Sequence, residues 1–268
     1  MKWIILISTL IASASAWSEV EQFVRYQQGE EIGYGRLVSN KVYPISGDVF
    51  DQFSVESNNI ALDKVELLLP VIPEKVFAVG MNFASHMSSP SDRPPPLFLK
   101  LPSSLILSGQ TIQVPSDAKN VHFEGELVVV IGKEARNISE DQVKGVVFGV
   151  TVGNDLTERS WQGQDLQWMR AKATDGFGPI AATITRGVDY EASLLTTRLN
   201  GKVVQQENTR HMIHSVAKVV SYLSRYFTLK PGDLIFMGTP GRTKALSDGD
   251  IVSVTIDGVG SVENTVQF

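Results

Sequence analysis

At 268 residues, 43 % hydrophobic and 20 % charged, the chain has the composition of a globular protein with a sizeable core, which excludes a disordered or fibrous molecule. The formal charge of -5, without a Lys/Arg cluster able to follow a phosphate backbone, excludes nucleic acid as the natural partner. Cysteine is absent, so disulfides, thiolate metal sites and thiol nucleophiles are excluded, and any metal must be held by oxygen or imidazole.

Lys2, an apolar run over residues 3–12 and the small residues Ser13, Ala14, Ser15 and Ala16 read as a secretory signal peptide over residues 1–16. The expectation is therefore a secretory or extracellular protein, with Asn137 of the Asn-Ile-Ser tripeptide as a glycosylation acceptor in a eukaryotic host. A membrane-anchored or intracellular chain is the alternative, and after cleavage no membrane association is expected.

Residues 22–26 and 33–38 read as short strands around a polar turn at 28–31, with a further strand at 42–45. They predict a small N-terminal β domain over 17–70. Residues 73–80 form an apolar strand stopped by Gly80, and a boundary near 70 leaves 71–268 as the larger domain. Within it the runs 127–131, 146–152, 234–237 and 251–256 are β-branched and have the character of buried strands. Helices are a minority. Ile213, Val216, Val220, Leu223 and Phe227 recur at helical spacing over 212–228, and 158–170 is a weaker helical segment.

Glu124 and Glu126 lie two residues apart at the start of an apolar strand, so both carboxylates project from one face and can share an ion. Asp155 follows the strand at 146–152. Three carboxylates suit a hard divalent cation, Mg²⁺, Mn²⁺ or Ca²⁺. By itself a Glu-x-Glu pair is an ordinary solvated strand face, but a strand whose continuation is wholly apolar belongs to a buried sheet, where unpaired charge is costly.

These segments, GMNFASH at 80–86, PLFLK at 96–100, EGE at 124–126 and GNDLT at 153–157, resemble the fumarylacetoacetate hydrolase family in order and spacing. RSWQ at 159–162, QWMRAK at 167–172, PGD at 231–233, GTP at 238–240 and GD at 249–250 extend the resemblance over residues 20–268. It implies an α+β, mainly β fold: a mixed β-roll catalytic domain behind a small N-terminal β domain, assembled as a homodimer. It implies Glu124, Glu126 and Asp155 as metal ligands, Gln162, Thr239 and Lys172 as substrate-binding residues, and a small-molecule 2-oxo acid as the substrate.

Bound to the 2-oxo group, the metal would act as a Lewis acid that stabilises an enolate. Lys172 would add positive charge, and His86 is the candidate base, with His122 either a neighbour of the carboxylates or a passive residue on their face, and His211 and His214 facing solvent. The implied reaction is carbon–carbon bond hydrolysis of an acylpyruvate-type diketo acid. Two departures bear on it. Hydrolytic members carry a Glu three residues after the histidine, where this chain has Ser89, with Asp92 the nearest replacement. The Gly241, Arg242, Thr243 segment after Pro240 is also unusual. Loss of the Glu favours the alternative, decarboxylation or keto–enol tautomerisation of an oxaloacetate-like acid. A non-catalytic metal or 2-oxo-acid binding protein is the remaining reading.

Overall fold

The computed structural model describes residues 20–86 and 93–268; residues 1–16, Ser89 and Asp92 lie outside them. The N-terminal meander forms over the expected strands, with β1 (Glu21–Gln28), β2 (Glu31–Val38), β3 (Lys41–Gly47) and β4 (Phe53–Val55). Gly29, at φ +61, makes the first turn, a conformation glycine reaches without steric cost.

The rest of the chain contributes β5 (Val76–Val79), β6 (Leu97–Lys100), β7 (Gly125–Ile131), β8 (Val147–Asn154) and β9 (Thr183–Arg186). Then come β10 (Leu194–Leu199), β11 (Lys202–Asn208), β12 (Leu234–Phe236), β13 (Ile251–Ile256) and β14 (Gly260–Gln267). A long mixed sheet runs β4-β3-β2-β1-β9-β8-β7-β12-β5-β6, so the N-terminal meander joins the main sheet edgewise through the β1 to β9 pairing. A second sheet orders the short strand Ile112–Gln113, then β14-β13-β10-β11.

The main core lies where the two sheets meet the longest helix among the described residues, α3 (Val216–Tyr226). Val129, Ile131, Val150 and Val152 of the first sheet pack with Val254, Ile256 and Val262 of the second, and with Val219, Val220 and Leu223 of the helix. Every residue of β7 is buried, which explains its unbroken apolar sequence.

The weaker helical segment resolves into two short helices, α1 (Arg159–Gln164) and α2 (Met169–Ala173), separated at Trp168, whose left-handed φ of +57 interrupts the helical path. The histidine expectation needs one correction. His211 is exposed, but His214 is buried at 3 % exposure, because the segment before α3 folds against Asn82. The Asn82 carboxamide accepts from the His214 backbone N–H at 2.8 Å and donates to the His214 carbonyl at 3.1 Å.

Candidate active site and metal centre

β7 and β8 pair antiparallel, with Gly125 opposite Asn154 and Glu126 opposite Gly153, so the start of one strand lies beside the end of the other. That register brings Glu124 and Glu126 to Asp155. The Asp155 N–H donates to the Glu124 carbonyl at 2.8 Å, and the Glu124 N–H donates to Asn154 Oδ1 at 2.8 Å. Between the two glutamates only glycine fits: a Cβ at Gly125 would lie 2.2 Å from Thr197 Oγ1 on β10. Ligand oxygens of the three carboxylates lie within 4.8 Å of one another, and all three residues are buried.

Three cations meet this cluster. Lys172, on α2, donates from Nζ to Glu124 Oε2 at 2.5 Å and to Asp155 Oδ2 at 2.6 Å. Lys100, at the end of β6, donates from the other side to Asp155 Oδ1 at 2.7 Å and to the Phe177 carbonyl at 3.0 Å, and it also contacts the Lys172 carbonyl. Arg159, the first residue of α1, donates from Nη2 to Glu124 Oε1 at 2.5 Å and from Nη1 to Gln162 Oε1 at 2.8 Å.

Burial opposes ionisation of Glu124, but Lys172 and Arg159 outweigh it and hold the carboxyl at about 2. Burial also works against the Lys172 charge, yet Asp155, Glu124 and Glu126 hold it above the ordinary lysine value. Lys100 is drawn below that value, chiefly by burial. Glu126 differs. Among the described residues its side chain accepts a hydrogen bond from the Gly238 N–H at 2.7 Å, and burial, reinforced by Asp155 and Glu124, pushes its carboxyl well above the ordinary range.

A buried carboxylate that forms no ion pair among the described residues, converging with two others, is an arrangement that an oxygen-preferring divalent cation satisfies, so the residues present fit such an ion. All seven residues singled out from the sequence, His86, Glu124, Glu126, Asp155, Gln162, Lys172 and Thr239, line one cavity of about 40 Å³. Larger hollows elsewhere, of about 440 Å³ beside Arg186 and about 510 Å³ beside Leu166, lack this convergence of buried charge.

Opposite the charges stand Met81, Phe98 and Trp168. Lys172 Nζ sits 4.7 Å from the centroid of the Phe98 ring, and Phe98 and Trp168 meet edge to face at 5.6 Å. Met81 and Trp168 both adopt left-handed backbone, φ +52 and +57, which is uncommon for large side chains and clusters at functional sites. Thr239 is held by Gln205, whose amide donates to its hydroxyl at 3.0 Å. His122 does not touch the carboxylates; its ring nitrogens bond Thr243 Oγ1 and Asn120 Oδ1, both at 2.9 Å. Lys100 and Arg159 are the residues that reading the sequence missed as site members. Both lie inside motifs that carried the resemblance, PLFLK and RSWQ, which was the available signal.

The model for the fumarylacetoacetate hydrolase C-terminal domain matches residues 75–267, and an N-terminal model named for Rv2993c-like proteins matches 22–70. The chain is 37 % identical over 201 residues to an oxaloacetate tautomerase of Escherichia coli, covering 71 % of this chain and 92 % of the relative. It superposes on a 5-carboxymethyl-2-hydroxymuconate delta-isomerase from Mycobacterium smegmatis with a TM-score of 0.86 at 33 % identity, covering 92 % of this chain and 99 % of the other. A fumarylpyruvate hydrolase from Pseudomonas aeruginosa, solved with Mn²⁺ and pyruvate, gives a TM-score of 0.70 at 32 % identity, covering 76 % and 92 %.

The secretory expectation is corrected by these findings. Relatives include archaeal and mycobacterial proteins, and the N-terminal region that the family model matches is a folded β domain that pairs with the main sheet. With the family's C-terminal model spanning most of the chain, and β7 and β8 carrying the three buried carboxylates, the chain belongs to the fumarylacetoacetate hydrolase family.

Proposed function

We propose that this chain is a divalent-cation-dependent enzyme, with Mg²⁺ or Mn²⁺ at Glu124, Glu126 and Asp155, that carries a small 2-oxo acid through its enolate. The favoured reaction is keto–enol tautomerisation of an oxaloacetate-like acid. The observation that carries the reading is the meeting of three buried carboxylates with Lys172, Arg159 and His86 in one cavity. When bound, the cation would supply Lewis-acid polarisation of the 2-oxo group. Lys172 and Arg159 present fixed positive charge to the oxygen that becomes negative, in a site where burial strengthens each interaction. Gln162 and Thr239 orient the substrate by hydrogen bonding. His86 moves the carbon-bound proton, accepting it at Nε2 from carbon and delivering it to the enolate oxygen, with the reverse transfer in the opposite direction.

Tautomerisation needs only this proton transfer, and among the described residues His86 Nδ1 bonds the Gly241 backbone carbonyl rather than a carboxylate. The E. coli relative named as an oxaloacetate tautomerase and the M. smegmatis isomerase support that class. Hydrolysis of an acylpyruvate is the second reading, favoured by the likeness to the fumarylpyruvate hydrolase. The division into a β domain over 17–70 and a catalytic domain over 71–268, and assembly as a homodimer, belong to the same proposal. The test follows oxaloacetate tautomerisation and decarboxylation, and hydrolysis of acetylpyruvate and fumarylpyruvate, with purified protein and Mg²⁺ or Mn²⁺. Tautomerisation should be the fastest. Faster hydrolysis would select the second reading, and no turnover of any substrate would leave a binding protein.

A further inference from the structure

The turn after Thr239 and Pro240 is not used by the chemistry above, yet it touches the site twice. Gly241 accepts a hydrogen bond at its carbonyl oxygen from His86 Nδ1 at 2.5 Å, and its N–H donates to Ser85 Oγ at 3.0 Å. Two residues on, Thr243 Oγ1 accepts from Arg159 Nη2 at 3.0 Å and lies 2.9 Å from His122 Nδ1. From the geometry we infer that the Gly241 to Thr243 turn is a positioning element that orients the proton-transfer imidazole of His86 and the guanidinium of Arg159.

Hydrogen-bond complementarity fixes the direction of each link. A carbonyl oxygen only accepts, so His86 must carry its proton on Nδ1 to bond Gly241, which leaves the lone pair of the neutral ring on Nε2. Gly241 reaches this arrangement at φ +63, where a side chain would strain the backbone although nothing lies within 4 Å of its Cβ position. The Ser85 contact closes a ring from the turn at Ala84–His86 to the turn at Gly241 and back.

On the other side, guanidinium has no acceptor, so Thr243 Oγ1 must accept from Arg159 and is free to donate its own proton to His122 Nδ1. His122 then carries its proton on Nε2, and Asn120 Oδ1, at 2.9 Å, accepts it. An isolated bridge between His122 and Ala245 anchors the far end of the turn. Arg159 is thereby held by three side chains, Glu124, Gln162 and Thr243, the last of which also bonds His122. The turn sets His86 in the Nδ1–H form, and Asn120 sets His122 in the Nε2–H form with Thr243 donating to its Nδ1.

The consequence for turnover rests on the proposed function, but the tautomers do not. Long-range ¹H–¹⁵N spectra of histidine-labelled protein, without substrate, should show His86 as the Nδ1–H form and His122 as the Nε2–H form. Thr243→Val should disturb the His122 pattern and the Arg159 side-chain resonances, with Thr243→Ser restoring both. Ser85→Ala, which frees the Gly241 N–H, should disturb His86 while leaving His122 unchanged. With a substrate that turns over, Thr243→Val should lower kcat at least several-fold with a smaller change in KM, and Thr243→Ser should recover it. His86 in the Nε2–H form, or unchanged His122 and Arg159 signals in Thr243→Val, would overturn the inference. Intact tautomers with no turnover on any 2-oxo acid would count against the proposed function alone.

Discussion

Replacing Lys100 by Met tests whether the buried lysine beneath the site holds Asp155 and α2 together. The ammonium is fully buried and bonds Asp155 Oδ1 at 2.7 Å, the Phe177 carbonyl at 3.0 Å and the Lys172 carbonyl. Met fills similar space but donates nothing. Asp155 retains Lys172 at 2.6 Å, so its charge is not stranded outright, whereas two buried carbonyls lose a donor at about 1–3 kcal/mol each. Removing a buried charge whose pKa burial has already depressed offsets part of this loss. The net destabilisation expected is about 3 kcal/mol, a substantial share of the roughly 5–15 kcal/mol typical of a folded protein. At about 2–4 °C per kcal/mol, Tm should fall by roughly 6–12 °C. Calorimetric scans in chelator and in excess Mn²⁺ measure it, and Mn²⁺ titration should show about tenfold weaker binding, because Asp155 and the Lys172 backbone lose a shared anchor. A Tm within about 2 °C of the parent and unchanged Mn²⁺ affinity would refute the reasoning.

Glu126→Gln should abolish calorimetric Mg²⁺ and Mn²⁺ binding while leaving metal-free stability within about 1 kcal/mol, because Glu126 has no ion pair to lose and Gln can still accept from Gly238. Lys172→Met should remove turnover yet tighten Mn²⁺ binding by roughly tenfold, since its ammonium occupies the Glu124 and Asp155 oxygens that face a cation; weaker binding would contradict that competition. For His214, burial and then Lys218 hold the imidazole below its ordinary value. A depressed folded value means a contribution present above the unfolded value near 6.5 and lost as pH falls below it. Urea unfolding from pH 7.5 to 5.5 should therefore show a steeper loss in the parent than in His214→Gln, and parallel curves would exclude His214 as the source.

The sequence alone determined the strands and the three carboxylates. The unbroken apolar run of β7 marks a strand buried on both faces, whereas in β1 the adjacent Phe23 and Val24 are both buried and in β2 Ile32 and Val38 are exposed, so the N-terminal strands were legible as strands but not by face. Glu124, Glu126 and Asp155 were legible because they sit at the ends of such runs, where a charge stands out against its surroundings. The same local logic placed α3 and failed at 158–170, where the left-handed backbone of Trp168 leaves no mark on hydrophobic periodicity.

What tertiary structure decided is the charge balance and its positioning. Lys100 meets Asp155 across 55 residues, Lys172 meets Glu124 across 48, and Thr243 meets Arg159 across 84. No periodicity records such contacts, because a single polar side chain has no repeating neighbour to betray its direction. His214 shows the converse: its helical spacing suggested solvent, and the chain instead folded it against Asn82. Nor could the run of small and apolar residues at 1–16 fix a location by itself, since its pattern is compositional and the folded β domain that follows it is the part shared with archaeal and bacterial relatives. Burial is a property of the assembled sheets, so the residues that neutralise a buried site become identifiable only when the sheets are in place.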